Sequence, residues 1–215
     1  MKAFFHRLDP RHGIALVLIL HLVGIFGLIS PFAGWVLPLT PVNLLLTAGV
    51  MIVFSKLDRR TLALAVVVGT LGYLVEVLGV RTGRVFGDYA YGEVLGFKML
   101  NVPLLIGLNW SMLVFAIGVP VARTALPTWA KVLVSSLMMV ALDLLMEPVA
   151  IHLGFWTWEQ GVIPLQNYVA WGLISAVFFA LFFLLPVQRE NPVARYVLLA
   201  QVLFFAGLNL ALGAA

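Results

Sequence analysis

Residues 62–80 read Leu-Ala-Leu-Ala-Val-Val-Val-Gly-Thr-Leu-Gly-Tyr-Leu-Val-Glu-Val-Leu-Gly-Val, an apolar run interrupted by a single charged residue, Glu76. About 20 apolar residues in helical conformation cross the hydrocarbon core of a bilayer, and this run meets that length. Working outward from it, six further runs of the same kind appear, at 14–30, 37–54, 102–121, 130–151, 164–187 and 193–213. Between them stand breaks such as Ser30-Pro31, Leu57-Asp58-Arg59-Arg60, Leu126-Pro127-Thr128 and Arg189-Glu190-Asn191-Pro192. The first run follows Lys2, Arg7 and Arg11 but lacks a small-x-small cleavage site, so it reads as a helix and not as a signal peptide. The expectation is an all-α membrane protein of about seven transmembrane helices in one bundle. Residues 1–215 then form a single polytopic domain, multi-pass in the cell membrane.

Composition supports this. Hydrophobic residues make up 63% of the chain and charged residues 10%, with a mean hydropathy of +1.09. A water-soluble domain uses roughly 25% charged residues to coat its surface, and this chain cannot supply that coat. Cysteine is absent, which excludes disulfides, thiolate chemistry and iron–sulfur clusters. The basic balance does not point to nucleic acid, because the Lys and Arg residues sit in short segments beside apolar runs, where they set topology. With seven spans, ten of them (Lys2, Arg7, Arg11, Lys56, Arg59, Arg60, Arg123, Lys131, Arg189 and Arg195) fall on one side. Only Arg81, Arg84 and Lys98 fall on the other, so the N-terminus is expected to be cytoplasmic.

The acids follow a different rule. Asp9, Asp58 and Glu190 lie among basic residues on the cytoplasmic side, whereas Glu76, Asp88, Glu93, Asp143, Glu147 and Glu159 converge on the outer side. Glu76, Asp143 and Glu147 are the costly ones. A carboxylate within a span costs roughly 2.5–3.5 kcal/mol on insertion scales, so such residues face the bundle interior and usually carry function. Gly69, Gly72, Glu76 and Gly79 share one helical face, where small residues allow close approach. Ser136, Met139, Asp143 and Glu147 share another, and Pro148 is expected to kink or end that helix beside the acids. Two carboxyls at i and i+4 in a low dielectric cannot both ionise cheaply, so one is expected to hold a proton and serve as a general acid. The plainer reading is that these acids bond neighbouring helices.

Aromatic residues gather nearby: Tyr89 and Tyr91, Trp110, Trp156 and Trp158, Tyr168 and Trp171. They read either as an interfacial belt or as the lining of a pocket whose ring faces stabilise a cation by roughly 0.5–2 kcal/mol each. Asn109 and Asn167, polar groups within or beside apolar runs, more often bond other helices than a substrate. The four histidines, His6, His12, His21 and His152, lack metal-site spacing, and there is no nucleotide-binding glycine motif. No lysine lies in the last span to form a Schiff base. Proton chemistry with neither metal nor cofactor is the expectation.

One series of blocks is more specific. Residues 81–98 read Arg-Thr-Gly-Arg-Val-Phe-Gly-Asp-Tyr-Ala-Tyr-Gly-Glu-Val-Leu-Gly-Phe-Lys, followed by Val102-Pro103-Leu104-Leu105-Ile106 and Asn109-Trp110. Then come Asp143-Leu144-Leu145-Met146-Glu147-Pro148-Val149-Ala150, Gly154-Phe155-Trp156-Thr157-Trp158 and Pro164-Leu165-Gln166-Asn167-Tyr168. Over roughly residues 70–175 this series resembles the membrane carotenoid biosynthesis protein family, which includes carotenoid 1,2-hydratases. The resemblance implies addition of water to the terminal C1–C2 double bond of an acyclic ψ end, with no redox cofactor. The implied substrate is of lycopene, γ-carotene or bisanhydrobacterioruberin type, taken from the lipid bilayer, and association with other carotenoid enzymes is compatible with it. Joined to the reading of the residues, it makes Glu147 or Asp143 the proton donor and Glu76 or Asp88 the group that orients water. Tyr168, Trp171 and Trp110 would shield the cation, and Tyr89, Tyr91, Glu93, Asn109, Trp156, Trp158, Gln166 and Asn167 complete the candidate substrate-contacting set. The rivals are a carotenoid cyclase or isomerase using the same protonation, a proton-linked transporter, and a subunit that presents carotenoid to another enzyme.

Overall fold

The segment Leu105–Ala122 has no charged residue and is apolar on every face, and a helix of that kind belongs inside a bundle. In the computed structural model, which describes residues 9–56 and 58–213, it is the central helix. Among the described residues, seven helices are long and apolar enough to cross a membrane: α1 Pro10–Leu28, α2 Ala33–Val53, α3 Arg59–Thr82, α4 Leu105–Ala122, α5 Thr128–His152, α6 Leu165–Leu184 and α7 Ala194–Leu212. Helix α4 packs against α2, α3, α5, α6 and α7, while α1 closes the bundle against α7 and α2. The outer faces are aliphatic, with Leu62, Val66, Leu74 and Leu78 of α3 and Leu165, Val169, Leu173 and Val177 of α6 all exposed. Apolar surface on that scale calls for lipid as solvent, and the chain is a multi-pass membrane protein.

The helix ends explain where the hydropathy reading falls short. Asp9 caps α1, its side chain accepting the Arg11 N–H at 2.9 Å with Pro10 in the first helical turn. Asp58 caps α3 through the Thr61 N–H at 2.8 Å. These caps start both helices ahead of their apolar runs, since a capping carboxylate satisfies amide donors that would otherwise go unpaired. Pro148 does not end α5, which continues through it to His152. Its missing N–H removes one bond close to the terminus, where the helix is about to stop at Leu153-Gly154. Lys2, Arg7 and His6 of the sequence reading lie outside the described residues.

Helices α3 and α4 approach to backbone contact at Gly69 and Gly107, where a Cβ on Gly107 would lie 2.6 Å from the Gly69 carbonyl oxygen. One turn on, a Cβ at Gly72 would lie 2.6 Å from the Trp110 ring, so this glycine is what seats the indole. The shared glycine face read from the sequence is therefore a close-approach seam.

The connections α1–α2, α3–α4 and α5–α6 share one end of the bundle, the end that carries the intramembrane acids. There, β1 (Tyr89–Tyr91) of the α3–α4 connection pairs antiparallel with β4 (Trp156–Trp158) of the α5–α6 connection, in the register Tyr89↔Trp158, Ala90↔Thr157, Tyr91↔Trp156. A second short ladder joins β2 (Lys98–Met99) to β3 (Val102–Pro103). The bundle end is thus closed by strands as well as by loops.

Candidate active site

Strands alternate their side chains between two faces, and β1 and β4 use that alternation fully. Ala90 and Thr157 point away, while Tyr89, Tyr91, Trp156 and Trp158 all turn down into the bundle. Their polar atoms reach two carboxylates. Glu76 of α3 accepts the Tyr89 O–H at 2.5 Å and the Tyr91 O–H at 2.9 Å on Oε2, and the Trp110 indole N–H at 3.1 Å on Oε1. Glu147 of α5 accepts the indole N–H groups of Trp156 and Trp158, both at 2.9 Å, on Oε2. Asn167 of α6 donates from Nδ2 to Asp143 Oδ2 at 2.8 Å and to Glu147 Oε1 at 3.3 Å. All three acids are buried, and two of them thus share one amide.

The donor chemistry constrains what each oxygen can do. An indole N–H donates only, so Glu147 Oε2, with two of them, is committed as an acceptor. Its Oε1 has only the longer contact to Asn167. Asp143 Oδ1 is buried without a partner among the described residues. Glu76 has three donors against roughly four lone-pair positions on a carboxylate, which leaves room on Oε1 for one further donor. Burial first, and then the Glu76 carboxyl beside them, push the Tyr89 and Tyr91 phenols upward, so both remain neutral donors.

Glu76 and Glu147 line a common cavity of about 240 Å³. Tyr89, Tyr91, Trp110, Trp156, Trp158, Asn167, Trp171 and Asn109 line it too. Trp110 and Trp171 stack at 4.3 Å between ring centroids, 22° from parallel, and present an aromatic wall beside the acids. The belt reading of Trp156 and Trp158 gives way: both are buried and bonded to Glu147, while the exposed Trp35 and Trp129 stand at opposite ends of the bundle, where a belt requires them.

Asp143 is sealed behind Asn167 and Glu147 and does not line the cavity. Asp88 is exposed, its carboxylate lying over the left-handed turn at Gly83, where a Cβ would meet Oδ1. Glu93 is exposed and pairs with Lys98 at 2.6 Å, and Lys98 also donates to the Tyr91 carbonyl. Gln166 is exposed and donates to the Arg84 carbonyl at 2.6 Å, tying the start of α6 to the α3–α4 connection. Tyr168 is half-buried and outside the cavity lining. Asp88, Glu93, Gln166 and Tyr168 thus surround or brace the site without entering it. Conversely, His21, Asn43 and Gln201 line the cavity, although His21 entered the sequence analysis only as a histidine without metal-site spacing and the other two did not enter it. Their only signal is a polar side chain inside an apolar run.

The comparisons with known proteins bear on the whole of this region. The bisanhydrobacterioruberin hydratase of Haloarcula japonica is 32% identical, over an alignment covering 74% of this chain and 59% of that relative. The chain thus spans less than two thirds of that protein's length. No solved structure matches. A family model described as carotenoid biosynthesis protein matches residues 39–215, a region that holds both carboxylate clusters and the β1–β4 ladder. The chain belongs to the carotenoid biosynthesis protein family.

Proposed function

We propose that this protein is a carotenoid hydratase that adds water to the terminal C1–C2 double bond of an acyclic ψ end. The observation that carries the reading is the pair of buried carboxylates, Glu76 and Glu147, set on one cavity beside the Trp110–Trp171 stack. Family membership and the Haloarcula japonica hydratase support the substrate class.

In this reading Glu147, protonated on Oε1, gives its proton to C2. The π pair forms the new C–H bond and leaves a tertiary cation at C1. The donors already aimed at Glu147 from Trp156, Trp158 and Asn167 strengthen as it becomes a carboxylate, which is preorganised stabilisation of charge that develops in the step. The stacked indoles face the cation. Glu76, held by three donors with one acceptor position left, orients the water and takes its proton as the C–O bond forms. Returning that proton from Glu76 to Glu147 resets the site, and the net change is one added water. Asp143 shares Asn167 with Glu147 and acts as a positioning residue for the proton on the pair.

The chain is further proposed to lie in the cell membrane with its N-terminus cytoplasmic, supported by the ten-to-three division of basic residues. Water then reaches the site from the outer face while the polyene lies in lipid. Expression in a host that accumulates lycopene or γ-carotene, followed by mass analysis of the pigments, tests the function. A product heavier by one water supports hydration. A new product of unchanged mass identifies cyclisation or isomerisation, and unaltered pigment with proton-coupled flux in liposomes identifies a transporter.

A further inference from the structure

The cavity has a second polar wall that the hydration chemistry does not use. It is built by His21 of α1, Asn43 of α2 and Gln201 of α7. His21 and Gln201 are 5% and 6% exposed, in surroundings otherwise made of aliphatic side chains and Phe204. Residue 21 lies seven positions before the end of α1 and Glu76 six before the end of α3. At 1.5 Å per residue, both stand about 10 Å below the acid-bearing end. His21 is therefore at the depth of Glu76, and Gln201 reaches it from about one turn deeper in the bundle.

Hydrogen bonding fixes how this wall presents itself. His21 Nδ1 lies 2.8 Å from the Val17 carbonyl oxygen, which only accepts. In the neutral ring Nδ1 carries the hydrogen and Nε2 is left as an acceptor. The side-chain atom that meets Nε2 at 3.3 Å is Nε2 of Gln201, so the amide gives an N–H to the imidazole and turns its carbonyl oxygen elsewhere. That oxygen accepts no hydrogen bond from any described residue, and it belongs to a side chain that lines the cavity. The His21–Gln201 bond alone would serve to tie α1 to α7. It leaves unexplained an unpaired acceptor on a residue more than nine-tenths buried. Gly24, one turn beyond His21, seats the Phe204 ring against α1, since a Cβ there would lie 2.9 Å from that ring.

We propose that this wall is a hydroxyl-recognition subsite, in which Gln201 Oε1, oriented by His21, accepts the O–H of an alcohol carried by the isoprenoid in the cavity. An unpaired acceptor in a largely apolar cavity discriminates in favour of a ligand that satisfies it, because a hydrocarbon leaves it desolvated. The inference deepens the hydratase reading and rests on its assignment of the cavity to an isoprenoid end. It adds that an oxygenated end group is preferred over a hydrocarbon one.

Binding rather than turnover tests it. The protein reconstituted in lipid nanodiscs is titrated with lycopene, with an acyclic carotenoid bearing one tertiary alcohol near its end, and with the O-methyl ether of that alcohol, following quenching of tryptophan fluorescence. The alcohol is expected to bind roughly three- to tenfold more tightly than the ether or lycopene, the equivalent of one net hydrogen bond. Gln201→Met should erase that preference by bringing lycopene binding up to that of the alcohol, since the hydrocarbon no longer desolvates an acceptor, and thermal unfolding in the nanodisc shows that the variant is folded. Should Gln201→Met fail to fold, the comparison of alcohol with ether on the unaltered protein decides alone. Equal binding of alcohol and ether, or a preference that survives Gln201→Met, overturns the proposal. If the preference holds while no carotenoid is hydrated in any assay, the hydratase reading fails and the subsite stands. Hydration without the preference has the opposite meaning.

Discussion

Tyr89 and Trp158 stand directly opposite each other in the β1–β4 ladder, their rings 5.2 Å apart, yet they serve different acids. The Tyr89 hydroxyl goes to Glu76 and the Trp158 indole to Glu147. Tyr91 and Trp156 repeat the arrangement one pair along, with rings 6.0 Å apart. A single strand pairing therefore sets the position of both carboxylates relative to each other. Cross-strand aromatic pairs contribute roughly 0.2–1 kcal/mol each to such a ladder, and its register is what the site geometry depends on.

Trp158→Phe, and separately Trp156→Phe, keeps a ring in the ladder and removes one N–H from Glu147. If these donors stabilise the carboxylate formed on proton transfer, each change should lower the hydration rate by roughly 100-fold, the scale of one lost preorganised donor. Substrate binding should change little. Single-turnover rates with a ψ-ended carotenoid, measured beside the affinity, check this. A loss confined to affinity would show that the indoles only pack.

Glu76→Gln, Glu147→Gln and Asp143→Asn separate the acids by role. The first two should reduce hydration by roughly 10²- to 10⁴-fold, the range for a positioned acid or base. Asp143→Asn should cost less and should shift the pH profile of the reaction, because it alters the group that shares a proton with Glu147 without touching the cavity. Product formation against pH, with thermal unfolding in detergent as the folding control, makes the test. Full activity in all three variants would remove the acid–base reading altogether.

Much of this was legible in the chain because lipid imposes its own pattern. Seven apolar runs gave seven helices, and acids placed inside them had to face the interior. The convergence of Glu76, Asp143 and Glu147 on one end followed from counting spans. What escaped was carried by short-range alternation in the connections. Tyr-Ala-Tyr and Trp-Thr-Trp have the period of a strand, but three residues between long helices read equally as an aromatic belt or as a pocket lining until a partner strand is known. Asp88 was misleading for a related reason. It lies one residue before Tyr89, and adjacent residues of an extended segment face opposite ways, so the strand that turns Tyr89 inward leaves Asp88 outside. His21 and Gln201, 180 positions apart, meet only because α1 packs on α7, and nothing local announces that contact.

Asp88→Asn and Glu93→Gln should leave hydration and thermal stability nearly unchanged. Asp88 is exposed over the Gly83 turn, and Glu93 holds Lys98 on the outer surface. Exposed substitutions of this kind usually stay within about 0.5 kcal/mol, or roughly twofold in rate. Activity and unfolding temperature of the two variants, compared with the parent protein, check the statement. A loss comparable to that of Glu76→Gln would place Asp88 in the reaction after all.

Gly72→Ala tests how the aromatic wall is seated. The new Cβ would come 2.6 Å from Cγ of Trp110, and neither partner has room to yield: the backbone of α3 is held against α4 at Gly69 and Gly107, and the indole is clamped between Trp171 and its bond to Glu76. Overpacking of this kind costs about 1–3 kcal/mol. Here the strain should be relieved by tilting Trp110, which lengthens its bond to Glu76 and opens the stack on Trp171. The expected result is a lower unfolding temperature together with a loss of hydration larger than the stability change explains, and an altered tryptophan emission in the folded variant. Gly49, beside which an added Cβ meets nothing within 4 Å, supplies the control: Gly49→Ala should leave hydration and emission unchanged and should not lower the unfolding temperature, since alanine favours a helix interior over glycine. If Gly72→Ala lowers stability but leaves hydration per folded molecule intact, the position of Trp110 does not matter to the chemistry, and the indole stack is only core.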